Sequence, residues 1–204
     1  ARALDDDDVA IRYIAMRVAE ERAATDAEVE RLAAPRLAIR AEKLVDDPDS
    51  ALAVVAALYL ARLGSPRGRD TVFDVVAERK ATPELEDEQA CVELSGELPL
   101  RDAIPHLERR AWGTRRLLRT VLSWGAGDRA SCAWHARIAL ARMGHERARM
   151  EILAELTSWR RETREAAVVA AGRARIHEAR EPLQNLGESV DTALVREALV
   201  RLGV

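Results

Sequence analysis

Aromatic residues are scarce: seven in 204 positions, or 3%. A core or pocket built on stacked rings is therefore not expected. Cysteine is rarer still, represented by Cys91 and Cys132 alone. Two thiols with no CxxC pair and no Cys/His cluster exclude a disulfide scaffold and a zinc site. Both fall on apolar-periodic segments, where a buried free thiol is expected. No apolar run approaches the ~18–20 residues of a membrane span, and no signal-peptide pattern opens the chain. No long stretch alternates apolar and polar residues as a strand would. The chain also lacks a His-Glu-x-x-His motif, a phosphate-cradling glycine loop and a Gly-x-Ser-x-Gly elbow. No metal, cofactor or catalytic constellation is expected, and a reducing, cytoplasmic setting is the default reading.

What is present is helix-forming. Apolar residues make up 48% and charged residues 33% of the chain. Alanine, leucine, valine and arginine dominate; alanine and arginine favour helices, and alanine lets them pack closely. The expectation is an all-α fold. Only two of the 32 basic residues are lysine, a bias that fits a GC-rich bacterial genome. Charge is uneven. Residues 1–99 hold 13 basic and 22 acidic side chains, net −9, while residues 100–204 hold 19 and 13, net +6. The plainer reading of this split is a solvated, helix-rich surface; the sharper one is a basic face for an acidic partner or nucleic acid.

Repeats organise the pattern. Ala61-Arg62-Leu63-Gly64-Ser65-Pro66-Arg67 aligns with Ala141-Arg142-Met143-Gly144-His145-Glu146-Arg147. A shorter copy runs from Ala174 to Arg180, and a looser one from Gly96 to Asp102. Leu63, Leu98, Met143 and Ile176 hold matching places, 35, 45 and 33 residues apart. An alanine-rich helix precedes each turn and an amphipathic one follows it. Helices are expected at about 6–23, with Asp5 to Asp8 at its start and Val9, Ile14, Met16 and Val18 in its apolar stripe, and at about 26–45, with Asp26 as cap and Pro35 as kink or break. Pairs follow at 49–63 with 67–80, 84–97 with 100–111, 129–143 with 146–157 and 161–175 with 178–187. Single helices are expected at 114–124 and 191–202. The whole reads as one domain, residues 1–204, with an atypical pair at 1–47, repeats at 48–111 and 128–204, and an insertion at 112–127. The chain opens on Ala1 rather than methionine, which reads as trimming or as a piece of a longer chain. It ends on Leu202-Gly203-Val204 with no polar cap beyond its last helix.

Two stretches carry a resemblance. One runs from Leu94 through Pro99 and Pro105 to Leu107. The other comprises Arg164-Glu165-Ala166-Ala167, Pro182-Leu183 and Val195-Arg196-Glu197-Ala198-Leu199. Together they resemble HEAT-like repeats of the phycobilisome-lyase type, over roughly residues 48–204. The family pattern has an Arg-x-x-Ala first helix, a Leu-Gly turn and a second helix with proline near its start, where Pro105 and Pro182 sit. The resemblance implies an α-α superhelix, a HEAT-like solenoid of antiparallel helix pairs, with an extended surface for binding. The chain departs from the family at its insertion, at Ala171-Gly172 where leucine is usual, and over residues 1–47.

The densest recognition chemistry lies near the insertion. Arg109, Arg110, Trp112, Arg115, Arg116 and Arg119 cluster there, and Trp159, Arg160 and Arg161 recur further on. Arginine and tryptophan are enriched at binding hot spots, and guanidinium suits carboxylates and phosphates. The plainer reading is an arginine-rich surface with tryptophans filling gaps. Asp5 to Asp8 reads as a helix cap, and His145 and His177, each followed by glutamate at matching turns, as turn residues. Ser131, Cys132 and His135 on one helix read as packing. The leading expectation is a protein-binding scaffold or adaptor with an acidic protein partner and no membrane contact; no oligomeric state is fixed. A HEAT-like DNA-binding or alkylpurine DNA glycosylase-type module is the alternative the resemblance implies, although the net charge is −3 and no position matches that family's catalytic aspartate. A bilin lyase-like role is the third, on repeat type alone.

Overall fold

The computed structural model describes residues 2–33, 35–113 and 127–203. Among these are twelve α-helices and no strand, so the fold is all-α. In chain order they are α1 (Val9–Thr25), α2 (Ala27–Ala33), α3 (Pro35–Leu44), α4 (Ser50–Arg62), α5 (Pro66–Val76), α6 (Leu85–Glu97), α7 (Ile104–Trp112), α8 (Gly127–Arg142), α9 (Glu146–Glu155), α10 (Arg161–Ala174), α11 (Arg180–Asn185) and α12 (Thr192–Arg201). The helix expected at 114–124 lies outside the described residues. Contacts divide the chain into two compact units, Ala1–Ser95 and Gly96–Val204, and each is described by itself. Within each unit consecutive helices pack on one another, α3 on α4 and α4 on α5 in the first, α7 on α8 and α8 on α9 in the second.

The first unit is built around α4. The Asp49 carboxylate accepts from the Leu52 N–H at 2.9 Å and starts the helix. From Leu52 to Ala61 all ten residues are buried. A helix apolar on every side must be enclosed by neighbours, and α1, α3 and α5 pack against it. Met16, Ala19 and Ala23 from α1 and Ala41 from α3 complete this core. At the N-terminus Asp8 caps α1, accepting from Ala10 N–H at 2.8 Å, as the acidic run implied. Asp26 likewise accepts from Val29 N–H at 3.0 Å, and Pro35 begins a new helix. The α1 stripe differs from expectation. Met16 is buried, but Val9, Ile14 and Val18 are 36%, 59% and 50% exposed. Apolar residues surround α1 on all sides, so periodicity could not choose its inner face. Packing selected Met16, Ala19, Glu20 and Ala23.

The repeated turns share one hydrogen-bond geometry. Gly64 takes φ +90, with Gly64 N–H donating to Ala61 O at 3.0 Å and Ser65 N–H to Leu60 O at 2.9 Å. Gly144 takes φ +84, and its turn repeats the pair to Ala141 O at 3.0 Å and Leu140 O at 2.9 Å. This satisfies the last carbonyls of the first helix and needs a left-handed residue, which glycine supplies. At the third copy Arg175 adopts φ 55 and Ile176 N–H donates to Ala171 O at 3.0 Å. Arg175 thus stands where Gly64 and Gly144 stand, and Ile176 corresponds to Ser65 rather than to Leu63. Gly96, in the looser copy, does something else: it lies in the last turn of α6.

In the second unit the first helices of successive pairs approach backbone to backbone. A Cβ on Gly96 would lie 2.6 Å from the Cα of Ala139 on α8. A Cβ on Gly172 of α10 would lie 2.8 Å from the Cα of Ala198 on α12. That closeness accounts for Gly172 where the resemblance expects leucine. Cys91 and Cys132 are both buried free thiols. Among the described residues no helix is long and apolar enough to cross a membrane.

Candidate functional site

In the second unit, α9 places Arg147, Glu151 and Glu155 at four-residue intervals, on one face. The adjoining face buries Ala148 and Ile152. The C-terminal turn of α7 brings Trp112 to the exposed face. The Trp112 indole N–H donates to Glu151 Oε2 at 2.9 Å, and Arg147 Nε donates to Glu151 Oε1 at 2.9 Å. The Arg147 guanidinium lies 4.1 Å from the Trp112 ring centroid. One carboxylate therefore holds ring and cation in a stack that neither would keep alone in water. Arg137 of α8 donates to Glu155 Oε1 at 2.7 Å and ties in the third helix.

His145 also packs against the ring, tilted, centroid to centroid at 5.4 Å. It caps α9: Nδ1 accepts from the Ala148 N–H at 3.5 Å, and Nε2 meets Glu108 Oε1 at 3.0 Å. An accepting Nδ1 assigns the proton to Nε2, which then donates to Glu108. The turn residue expected from the repeat is therefore also a bridge between α7 and α9.

The loop after α9 displays a second tryptophan. Arg164 of α10 donates from Nη1 to Ser158 O and from Nη2 to Ser189 O, both at 2.7 Å. This clamp braces the loop from beneath, and Trp159 projects from it 83% exposed. The Arg160 guanidinium sits 4.8 Å from the Trp159 ring centroid. Arg161 donates to Glu165 Oε1 at 2.8 Å, and the same oxygen accepts from the Asp191 N–H at 3.2 Å. Trp159 and Arg160 thus form a presented pair, while Arg161 belongs to the support.

The nine residues singled out from sequence divide accordingly. Trp112 is half-buried in the α7–α9 network. Arg109 is exposed and Arg110 half-buried on α7. Arg115, Arg116 and Arg119 lie outside the described residues. Trp159, Arg160 and Arg161 share one loop and helix start, apart from Trp112 in bonding. Cys132 is buried, and His135 packs edge-on to Trp134 with centroids 5.0 Å apart. Among the described residues no group of three His, Cys, Asp or Glu side chains is arranged to hold a metal ion.

Sequence reasoning did not find the polar network of the first unit. Asp87 of α6 is fully buried. Tyr13 Oη donates to its Oδ2 at 3.1 Å and Arg17 Nη1 to its Oδ1 at 3.0 Å. Glu20 lies 3.6 Å from Arg17 and accepts from Arg62 Nε at 2.6 Å. Burial pushes the Asp87 carboxyl up to about 6, although Arg17 and the Tyr13 hydrogen bond pull it down. Burial and the Asp87 charge also raise the Tyr13 hydroxyl. Over seventy residues separate the two ends of this network, so no local spacing betrays it. Its chemistry is that of an enclosed tie between α1, α4 and α6. No protein-family model matches the chain, and no curated protein matches it in sequence.

Proposed function

We propose that this chain is a non-catalytic, HEAT-like scaffold that binds an acidic protein surface through the Trp159–Arg160 loop. The observation that carries the reading is the 83% exposure of Trp159 on a loop clamped by Arg164. A large indole left in water on a rigid support loses little conformational entropy when a partner covers it. The adjacent guanidinium supplies a planar donor for a carboxylate. The +6 net charge of residues 100–204 favours an acidic partner.

Ion pairing supports a protein over nucleic acid. Arg137, Arg147, Arg149 and Arg161 each face a glutamate on their own unit. A guanidinium already neutralised at close range contributes less to phosphate binding and counterion release. The test is direct. Partners are recovered on the immobilised full chain from native extract, and the strongest is titrated against wild type, Trp159→Ala and Arg160→Glu. Loss of a central tryptophan is expected to weaken binding by about 30-fold or more, roughly 2 kcal/mol, without changing unfolding. Equal affinity for all three chains would sink the proposal. Retention of duplex DNA at low salt, indifferent to Trp159→Ala, would transfer the function to nucleic acid.

A further inference from the structure

α12 is built as the first helix of a pair. Its end, Val200-Arg201-Leu202-Gly203, aligns with Ala141-Arg142-Met143-Gly144 and with Ala61-Arg62-Leu63-Gly64. The turn repeats as well. Gly203 takes φ +76 and its N–H donates to Val200 O at 3.0 Å, as Gly144 at φ +84 donates to Ala141 O at 3.0 Å. Packing agrees: a Cβ on Gly172 would meet Ala198, as one on Gly96 would meet the matching Ala139.

In the two earlier copies a second helix lies on the first, α5 on α4 and α9 on α8. The last turn of each first helix is closed. Leu60 and Leu140 are 2% and 0% exposed, and Ala61 and Ala141 are 0% and 6%. On α12 the same places are open: Leu199 is half-buried and Val200 is 66% exposed. A groove of about 520 Å³ runs there between α11 and α12. Leu183, Val195, Leu199 and Val200 give it an apolar lining, joined by Gln184 and Arg196.

Arg196 shows what an occupant carries. Counted back from the aligned turns, it matches Arg137 of α8. Arg137 donates to Glu155 at 2.7 Å and lies 3.9 Å from Glu151, both on the second helix α9. Arg196 is exposed, is the one charged residue in the described lining, and has no ion-pair partner among the described residues. Its neighbour Glu197 is held by Arg201 at 2.9 Å. The groove therefore repeats the seat of α9: apolar side chains and a guanidinium at the same register.

We propose that the α11–α12 groove docks an amphipathic helix of a partner protein, laid on α12 as α9 lies on α8, with a carboxylate set against Arg196. Helix-in-groove recognition uses apolar anchors three and four residues apart. On α9 and just beyond it these are Ala148, Ile152 and Leu156, all buried, and the partner helix carries anchors at that spacing with an acid placed like Glu155. The site is separate from the Trp159 loop and does not rest on that reading.

The probe is a synthetic peptide of residues 145–158, held helical by a lactam between Glu146 and the lysine of Met150→Lys; both positions are exposed on α9. It is titrated into the isotope-labelled full chain and followed by NMR. Amide shifts are expected on α11 and α12. Val200→Asp is expected to weaken binding about tenfold with the urea midpoint unchanged, since Val200 is exposed. Arg196→Glu should weaken it about fivefold in low salt, and a Glu155→Lys peptide should recover that loss. No shift at millimolar peptide would overturn the proposal, as would equal binding of a scrambled peptide. Shifts confined to α7 and α8 would mean that the peptide displaces α9, and would overturn it too. Equal affinity of wild type and Arg196→Glu would overturn the acidic partner. Dimerisation of the peptide-free chain in sedimentation, abolished by Val200→Asp, would give the groove to a second copy instead.

Discussion

Acidification should stabilise the Asp87 network rather than break it. A buried carboxylate beside an arginine faces two opposed effects. Loss of hydration favours the neutral acid, and Arg17 at 3.0 Å favours the anion. Asp87 is 0% exposed, and Glu84 and Glu20 add repulsion, so burial wins and the carboxyl rises from 3.8 to about 6. A group whose folded value lies above its unfolded value stabilises the fold fully below the unfolded value. That contribution is lost as pH rises through the folded value, so the window runs from about 4 to about 6. The full span corresponds to about 3 kcal/mol, and the interval from about pH 7.5 down to about pH 4.5 to about 2 kcal/mol. The assay is urea unfolding of wild type and Asp87→Asn at those two pH values. The variant cannot titrate at this site, so the gap between the two chains isolates Asp87 from every other carboxyl. Wild type should gain about 2 kcal/mol on the variant as pH falls. If wild type loses ground instead, the Arg17 ion pair dominates and the reasoning from burial is wrong. An unchanged gap would refute it equally.

Two glycines should fail for different reasons. Gly172→Ala forces a methyl to within 2.8 Å of the Ala198 backbone and should destabilise the second unit by about 1–3 kcal/mol, read as a lower urea midpoint. A loss under a few tenths of a kcal/mol would mean that α10 and α12 separate freely. Gly144→Ala meets no atom within 4 Å, so its only penalty is the left-handed φ of +84, about 1 kcal/mol. Gly144→Asn should recover part of that in the same titration.

The helices were legible because turn chemistry and period agree. Gly64, Gly144 and Pro66 marked boundaries that the structure places within a residue or two. The all-α class followed from the absence of strand alternation. Which side of α1 turns inward was not legible, since Val9, Ile11, Ile14 and Val18 carry as much apolar character as the face that is buried. The alignment of Ile176 with Leu63 slipped because Arg175 adopts a conformation usually left to glycine. Around the candidate site, Trp159 and Arg160 stood out by residue type. The partners of Trp112 did not: His145 and Glu151 lie 33 and 39 residues away, and only the spacing of Arg147, Glu151 and Glu155 hinted at a shared face.

The complete enclosure of α4 bears on how the chain survives in a cell. The run Leu52–Ala61 has no charge, no proline and no glycine, and every residue in it is buried. Such a segment is harmless only while covered; uncovered, it has the composition of an aggregation-prone stretch. Detachment of α1 alone exposes one side of it, well before global unfolding. The working lifetime of the first unit is therefore governed by how tightly α1 stays docked. Glu20, held by Arg62, and Asp87, held by Arg17 and Tyr13, act there as latches over the segment least able to meet water.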